Sequence, residues 1–180
     1  IFSNEPIINI RCPIYQCQLV ESAIINMFNF NTLIATKASR MSLSSKGDTI
    51  LEFGLRRAQG IDGSLSASRA SYIGGTSKTS NVLAGKLFDI PVSGTHSHSW
   101  VLAFDSELES FKKYAEVMPN NCILLVDTFN TMDGLDNAIL VAKELEKINK
   151  KLLGVRIDSG DLAYLSKKAR AKLDKNGLEY

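Results

Sequence analysis

The sequence predicts a parallel α/β architecture, and three observations carry the prediction. Strand-like apolar runs alternate with helical stretches in four consecutive units: "TILEFGLRR", "IPVSGT", "CILLVDT" and "LLGVRID", each followed by a longer helical pattern. Phe53, Val92, Leu125 and Val155 sit at comparable points of these runs, at steps of 39, 33 and 30 residues, close to the roughly 30 residues of a βαβ unit. Strands such as "CILLV" are apolar without alternation, as expected when helices cover both faces of a sheet or when side chains fill a barrel.

The elements follow in order. A short alternating segment, "PIINIRCPI", comes first. From Tyr15 to about Ser44 the pattern predicts one or two helices, with Leu19, Ala23, Met27, Phe30 and Ile34 at three- and four-residue steps on one apolar face and Phe28 and Phe30 in the core. The helical partner of the first unit is the Ala/Ser-rich stretch, that of the second "SHSWVLAFDSELESFKKYAEV", that of the third "NAILVAKELEKI" and that of the fourth "DLAYLSKKARAKLDKNG".

Composition bounds the function. At 180 residues and 44% hydrophobic the chain can bury a real core. Twenty-one basic against nineteen acidic residues give a net +2, too balanced to argue for nucleic acid or an acidic membrane surface. No apolar run approaches the ~20 residues of a membrane span. Cys12, Cys17 and Cys122 lack paired C-x-x-C spacing, which predicts three ordinary thiols in a reducing, cytosolic compartment. The chain has no initiator methionine, opens inside an apolar-polar pattern and stops just past a helix end, which reads as a piece of a longer protein.

Each predicted strand ends in groups suited to anion or proton chemistry. Arg56 and Arg57 follow "EFGL"; Thr95, His96 and His98 follow "IPVSG"; Asp127 and Thr128 follow "LLV"; Arg156 and Asp158 close "GVRID". Ligands of α/β sheets and barrels bind at such strand ends, where loops converge and helix N-termini point at the site. Three arginines at one mouth predict a substrate with more than one anionic group, because a guanidinium fork matches carboxylate and phosphate. Asp127 and Asp158 can hold a divalent cation or sugar hydroxyls, or Asp158 and Asp161 can serve only as helix-start residues, with Ser159 placed to cap the next helix.

Both histidines of the chain fall in "SGTHSHSW". His96 reads as a structural residue. His98 stands where a strand hands over to a helix, beside the hydroxyls of Thr95, Ser97 and Ser99, and a neutral imidazole is nucleophilic near pH 7. Zinc on the pair ranks below this, since no third ligand is visible.

The strings "EFGLRRAQGIDGSLSASRASYIGG", "TSNVLAGKLFDIPVSGTHSHSWV", "LLVDTFNT" and "GVRIDSGDLAYLSKKAR" resemble the nicotinate phosphoribosyltransferase family, in order and over essentially the whole chain. The resemblance implies part of a TIM-like (β/α) barrel of the type II phosphoribosyltransferase kind over residues 49–180. It makes residues 1–48 the end of an N-terminal α/β portion with its helices. It also implies an enzyme of NAD salvage that joins nicotinate to 5-phosphoribosyl 1-diphosphate, giving nicotinate mononucleotide and diphosphate. ATP drives the reaction through a phosphohistidine, Mg2+ accompanies the diphosphate, and a homodimer forms sites between its subunits.

Matched residue by residue, the family's G-T-x-x-H segment is "GTHSH", so the resemblance makes His98 the phosphate acceptor and His96 a neighbour at a variable position. It implies Thr95 and Arg156 as nicotinate contacts, with Arg156 on the carboxylate, and Asp158 as the catalytic carboxylate beside ribose and diphosphate. Arg56, Arg57, Ser80 and Asp127 fall to the phosphoribosyl diphosphate or the base. Ser80 stands where the nicotinamide-specific relative presents an acidic residue, and it offers no carboxylate. The family reads G-T-S-N where this chain has Lys78 before Thr79, so the turn there is expected to differ. The family's aromatic over the pyridine ring and its glycine-rich 5-phosphate loop have no counterpart in these 180 residues. The alternatives are a nicotinamide phosphoribosyltransferase-like enzyme and a non-catalytic fragment that keeps the fold.

Overall fold

A computed structural model describes residues 3–179. They form two compact units, one up to Gly94 and one from Thr95 onward, and each is described by itself.

In the first unit the long helix α1 (Ile14–Ser44) packs on α2 (Gly60–Ile73). The single helix agrees with the sequence pattern, but its packed face matches the expected stripe only in part. Leu19, Ala23 and Met27 are exposed, while Phe30 and Ile34 are partly covered as expected, together with Ile24, Phe28 and Ala35, and Ala38 is buried. The helix is apolar on more than one side, so periodicity alone could not choose the face that meets α2.

Two short strands, β1 (Leu51–Glu52) and β2 (Lys78–Thr79), pair in parallel, Leu51 opposite Lys78 and Glu52 opposite Thr79. The arginines after "EFGL" lie on a 3-10 turn, Leu55–Arg57, instead of extending the strand. Strand β2 and helix α3 (Val82–Phe88) form a further βα unit inside the 39-residue step, so the first interval read from the sequence holds two units. The run "IPVSGT" contributes one parallel bridge, Val92 with Thr79, where a full strand was expected. Asn81 caps α3, its Oδ1 accepting the Ala84 N–H at 3.2 Å.

The second unit carries the larger core. Helices α4 (His98–Val101) and α5 (Glu107–Val117) precede β3 (Ile123–Leu125), α6 (Thr131–Lys147), β4 (Gly154–Arg156) and α7 (Leu162–Lys175). Strand β3 runs parallel to β4, with Leu125 opposite Arg156. Leu124, Val126, Phe111, Leu135, Val141 and Leu145 form the centre of the core. Each such side chain contributes on the order of 1.5–3 kcal/mol on burial. Helix α6 buries Leu135, Ala138, Ile139, Val141, Ala142 and Leu145, the three- and four-residue repeat that its sequence shows. It approaches β3 closely at Gly134, where a Cβ would collide with the Val126 carbonyl.

The cysteines depart from expectation. Cys12 and Cys17 form a disulfide with Cα atoms 5.8 Å apart, and only Cys122 is a free, buried thiol. The five-residue step folds into the entry and first turn of α1, which brings the two Cα atoms into disulfide range. The cysteines therefore no longer argue for a reducing compartment. Among the described residues no helix is long and apolar enough to cross a membrane.

Candidate active site

The second unit gathers five of the residues singled out in the sequence, each from the end of an element. Thr95 and His98 come from the segment entering α4, Asp127 from the end of β3, and Arg156 and Asp158 from the end of β4. Parallel pairing of β3 with β4 aligns their C-terminal ends, which is why side chains 31 residues apart in sequence meet here.

Arg156 donates from NH1 to Thr95 Oγ1 at 2.9 Å and pairs through NH2 with Asp158 Oδ1 at 2.8 Å. Asp158 turns its other oxygen, Oδ2, toward His98 Nε2 at 3.6 Å. His98 Nδ1 lies 3.1 Å from the Thr128 hydroxyl. Thr95, Arg156, Asp158, His98 and Thr128 thus form one continuous polar row. The His98 side chain is 38% exposed and Arg156 25%, so both are reachable from solvent.

Asp127 lies beneath this row, its side chain 1% exposed. Its Oδ2 accepts the Asp158 N–H at 2.8 Å and the Ser159 hydroxyl at 2.6 Å. Its Oδ1 is 4.0 Å from His98 Nε2 and has no hydrogen-bond partner among the described residues. A buried acceptor left without a donor costs on the order of 1–3 kcal/mol. Ser159 is engaged by Asp127, and the cap of α7 is Asp161, whose Oδ1 accepts the Tyr164 N–H at 3.0 Å. That corrects the expectation of a capping Ser159 and bears out the helix-start reading for Asp161. Gly160, at φ +78°, supplies the left-handed turn between the two roles.

His96 and His98 part company. His96 is 7% exposed, and its Nε2 accepts the Leu125 N–H at 3.0 Å. Its ring meets Tyr114 edge-on at 4.8 Å. Burial holds its pKa below the ordinary histidine value, and Arg156 and His98 push the same way, against the Ser97 carbonyl.

Arg56, Arg57 and Ser80 belong to the first unit. Both arginines are exposed on the 3-10 turn. Ser80 is half-buried just after β2, its N–H bonded to the Glu52 carbonyl at 2.9 Å. Sequence reasoning missed the group that organises this region. The Glu52 carboxylate accepts from Thr79 Oγ1 at 2.6 Å, from Ser68 Oγ at 2.8 Å and from the Gly54 N–H. The signal was present as a carboxylate inside an otherwise apolar strand, "ILEFG". Thr128 was seen as a strand-end hydroxyl but not as a partner of His98.

Residues 49–177 match the nicotinate phosphoribosyltransferase (NAPRTase) family. The chain is 52% identical over 180 residues to a nicotinate phosphoribosyltransferase of Bacillus subtilis, covering 99% of this chain and 36% of that protein. It is 43% identical over 179 residues to nicotinate phosphoribosyltransferase pncB2 of Mycobacterium tuberculosis, covering 99% of this chain and 38% of that protein. The crystal structure of human nicotinic acid phosphoribosyltransferase superposes with a TM-score of 0.81 at 31% identity, over 92% of this chain and 44% of that one. The chain thus spans between a third and two fifths of the length of these curated relatives. On these matches the chain belongs to the nicotinate phosphoribosyltransferase family.

Proposed function

We propose that the chain works in the ATP-driven joining of nicotinate to 5-phosphoribosyl 1-diphosphate, with His98 as a transient phosphate carrier. The observation that carries this reading is the placement of His98: accessible, set between Thr128 and two carboxylates, and joined through Asp158 to Arg156.

In this reading the two ring nitrogens have separate tasks. Nε2 faces Asp158 and Asp127, so the neutral ring keeps its proton there, where it is attracted to both carboxylates. Nδ1 then carries the lone pair and accepts the Thr128 O–H. When that hydroxyl turns aside, Nδ1 attacks the terminal phosphorus of ATP, an N–P bond forms and ADP leaves with the electrons of the broken P–O bond. Charge growing on the ring is balanced at Nε2 by Asp127 and Asp158. Water later takes the phosphoryl group.

In the synthetic half, the pyridine nitrogen attacks the anomeric carbon as its bond to diphosphate breaks. Arg156 holds the nicotinate carboxylate beside Thr95, and Asp158 lies near the positive charge that develops on the sugar. Arg56, Arg57 and Ser80 serve the phosphoribosyl diphosphate or the base. Asp127 and Asp158 are hard oxygen donors, and the unpartnered Asp127 Oδ1 fits a divalent cation, so these two would hold Mg2+. When bound, Mg2+ supplies charge neutralisation on the diphosphate.

The parallel pairs β1–β2 and β3–β4 support a type II (β/α) barrel that includes residues 49–180, with residues 1–48 closing the portion before it. A homodimer with shared sites and a cytosolic location rest on the family likeness. The test uses the full-length protein with terminally labelled ATP, and with nicotinate or nicotinamide as acceptor. Wild type is expected to gain an acid-labile, base-stable label, to lose it in His98→Ala, and to make nucleotide from nicotinate. Absence of label on wild type would remove the phosphohistidine step; turnover of nicotinamide alone would reassign the substrate. The 180-residue chain assayed beside it decides whether these residues suffice.

A further inference from the structure

We propose that His96 is a positioning residue: its neutral imidazole replaces a missing sheet bond and ties the segment carrying Thr95 and His98 to β3. The proposal takes the reaction above as its setting.

Successive N–H groups of a strand point to opposite edges. The Val126 N–H goes to the Arg156 carbonyl of β4 at 3.1 Å, so the Leu125 N–H points to the other edge of β3. Leu125 is buried, and a buried edge N–H needs an acceptor. His96 Nε2 is that acceptor, at 3.0 Å. Since Nε2 accepts, the ring proton sits on Nδ1, which faces the Ser97 carbonyl at 3.4 Å. Phe111 and Tyr114 of α5 pack against the ring and fix its plane.

The consequence is positional. Leu125 lies two residues before Asp127 and three before Thr128, and His96 lies one after Thr95 and two before His98. One buried bond therefore sets the separation between the two halves of the polar row. The titratable groups that face His96 are Tyr114 from α5, His98 from α4 and Arg156 from β4. None is an anion that would stabilise an imidazolium at neutral pH, and protonation would remove the lone pair that holds Leu125.

The test compares full-length wild type with His96→Leu and His96→Gln; the glutamine Oε1 stands near the place of Nε2 and can accept the same N–H. Three readouts are taken: exchange of the Leu125 amide proton, the initial rate and final extent of phosphohistidine labelling, and KM for nicotinate. We expect the Leu125 amide to be protected in wild type and His96→Gln, and to exchange at least about tenfold faster in His96→Leu. Labelling of His98 in His96→Leu should slow by about tenfold while its final extent is kept, with KM moved by less than about twofold and the rate largely rescued in His96→Gln. Equal protection of Leu125 in all three proteins would overturn the tether, as would an unchanged labelling rate in His96→Leu. If wild type takes no label, the phosphohistidine reading fails, and the amide exchange still decides the role of His96.

Discussion

Arg156 and Asp158 form an ion pair at 2.8 Å at the end of β4, and the same guanidinium holds the Thr95 hydroxyl at 2.9 Å. Before any ligand arrives, the fork is already oriented by a hydroxyl on one side and a carboxylate on the other.

Arg156→Ala in the full-length protein should weaken nicotinate binding far more than ATP binding. Loss of a charge-assisted contact costs about 2–3 kcal/mol, or roughly 30- to 160-fold in kcat/KM for nicotinate. Steady-state kinetics with each substrate varied in turn provide the check. Equal losses for both would make the arginine purely structural.

Thr128→Val keeps the shape and deletes the hydroxyl that His98 Nδ1 meets at 3.1 Å. Because that hydroxyl must leave Nδ1 before attack, its removal takes away a ground-state bond of ~1 kcal/mol, and the phosphoryl-transfer rate should rise by up to about fivefold, with KM for nicotinate nearly unchanged. Rapid-quench labelling measures it, and an unaltered or slower rate sinks the role.

Gly134→Ala sets two effects against each other. Helix propensity favours alanine by ~1 kcal/mol. The new methyl would collide with the Val126 carbonyl, a backbone atom in the centre of the core that has no room to move. Overpacking of this kind costs about 1–3 kcal/mol, so a net loss of stability is expected, read as a lower urea midpoint. A higher midpoint would show that α6 can shift off β3.

Glu107 is 8% exposed; one oxygen accepts from Asn137 at 2.9 Å and the other has no partner among the described residues. Burial pushes its pKa up, Asp133 and Asp127 add to the rise, and the Asn137 bond opposes it. A raised carboxyl contributes stability below the ordinary carboxylate range and loses it as pH climbs through the folded-state value. Wild type should therefore gain stability relative to Glu107→Gln as pH falls from about 7 toward about 4. Paired urea titrations across that range give the sign, and an opposite slope refutes the assignment.

Cys122 is fully buried, and burial pushes its thiol up to about 11. Maleimide at about pH 8 should leave it unmodified in the folded protein and label it fully in urea, since the thiolate is the reactive form. Rapid native labelling, read by peptide mass, would contradict the packing around β3.

Sequence by itself determined the β–α–β–α order of β3, α6, β4 and α7, a helical stretch from Tyr15 to about Ser44 and the strand-end placement of Asp127, Arg156 and Asp158. These are set by local periodicity and by where polar groups interrupt apolar runs, both written in consecutive residues. Tertiary structure alone decided which face of α1 packs on α2, because a helix apolar on several sides leaves that choice to its partner. It also decided the β2–α3 unit inside the first interval, since a two-residue strand has no periodicity to read and exists only through its pairing with β1. The surroundings of the two histidines were decided in the same way. Two residues apart in "THSH", they differ because one ring reaches a buried N–H of β3 and the other reaches Thr128 and two carboxylates, and those neighbours lie about thirty residues or more away along the chain.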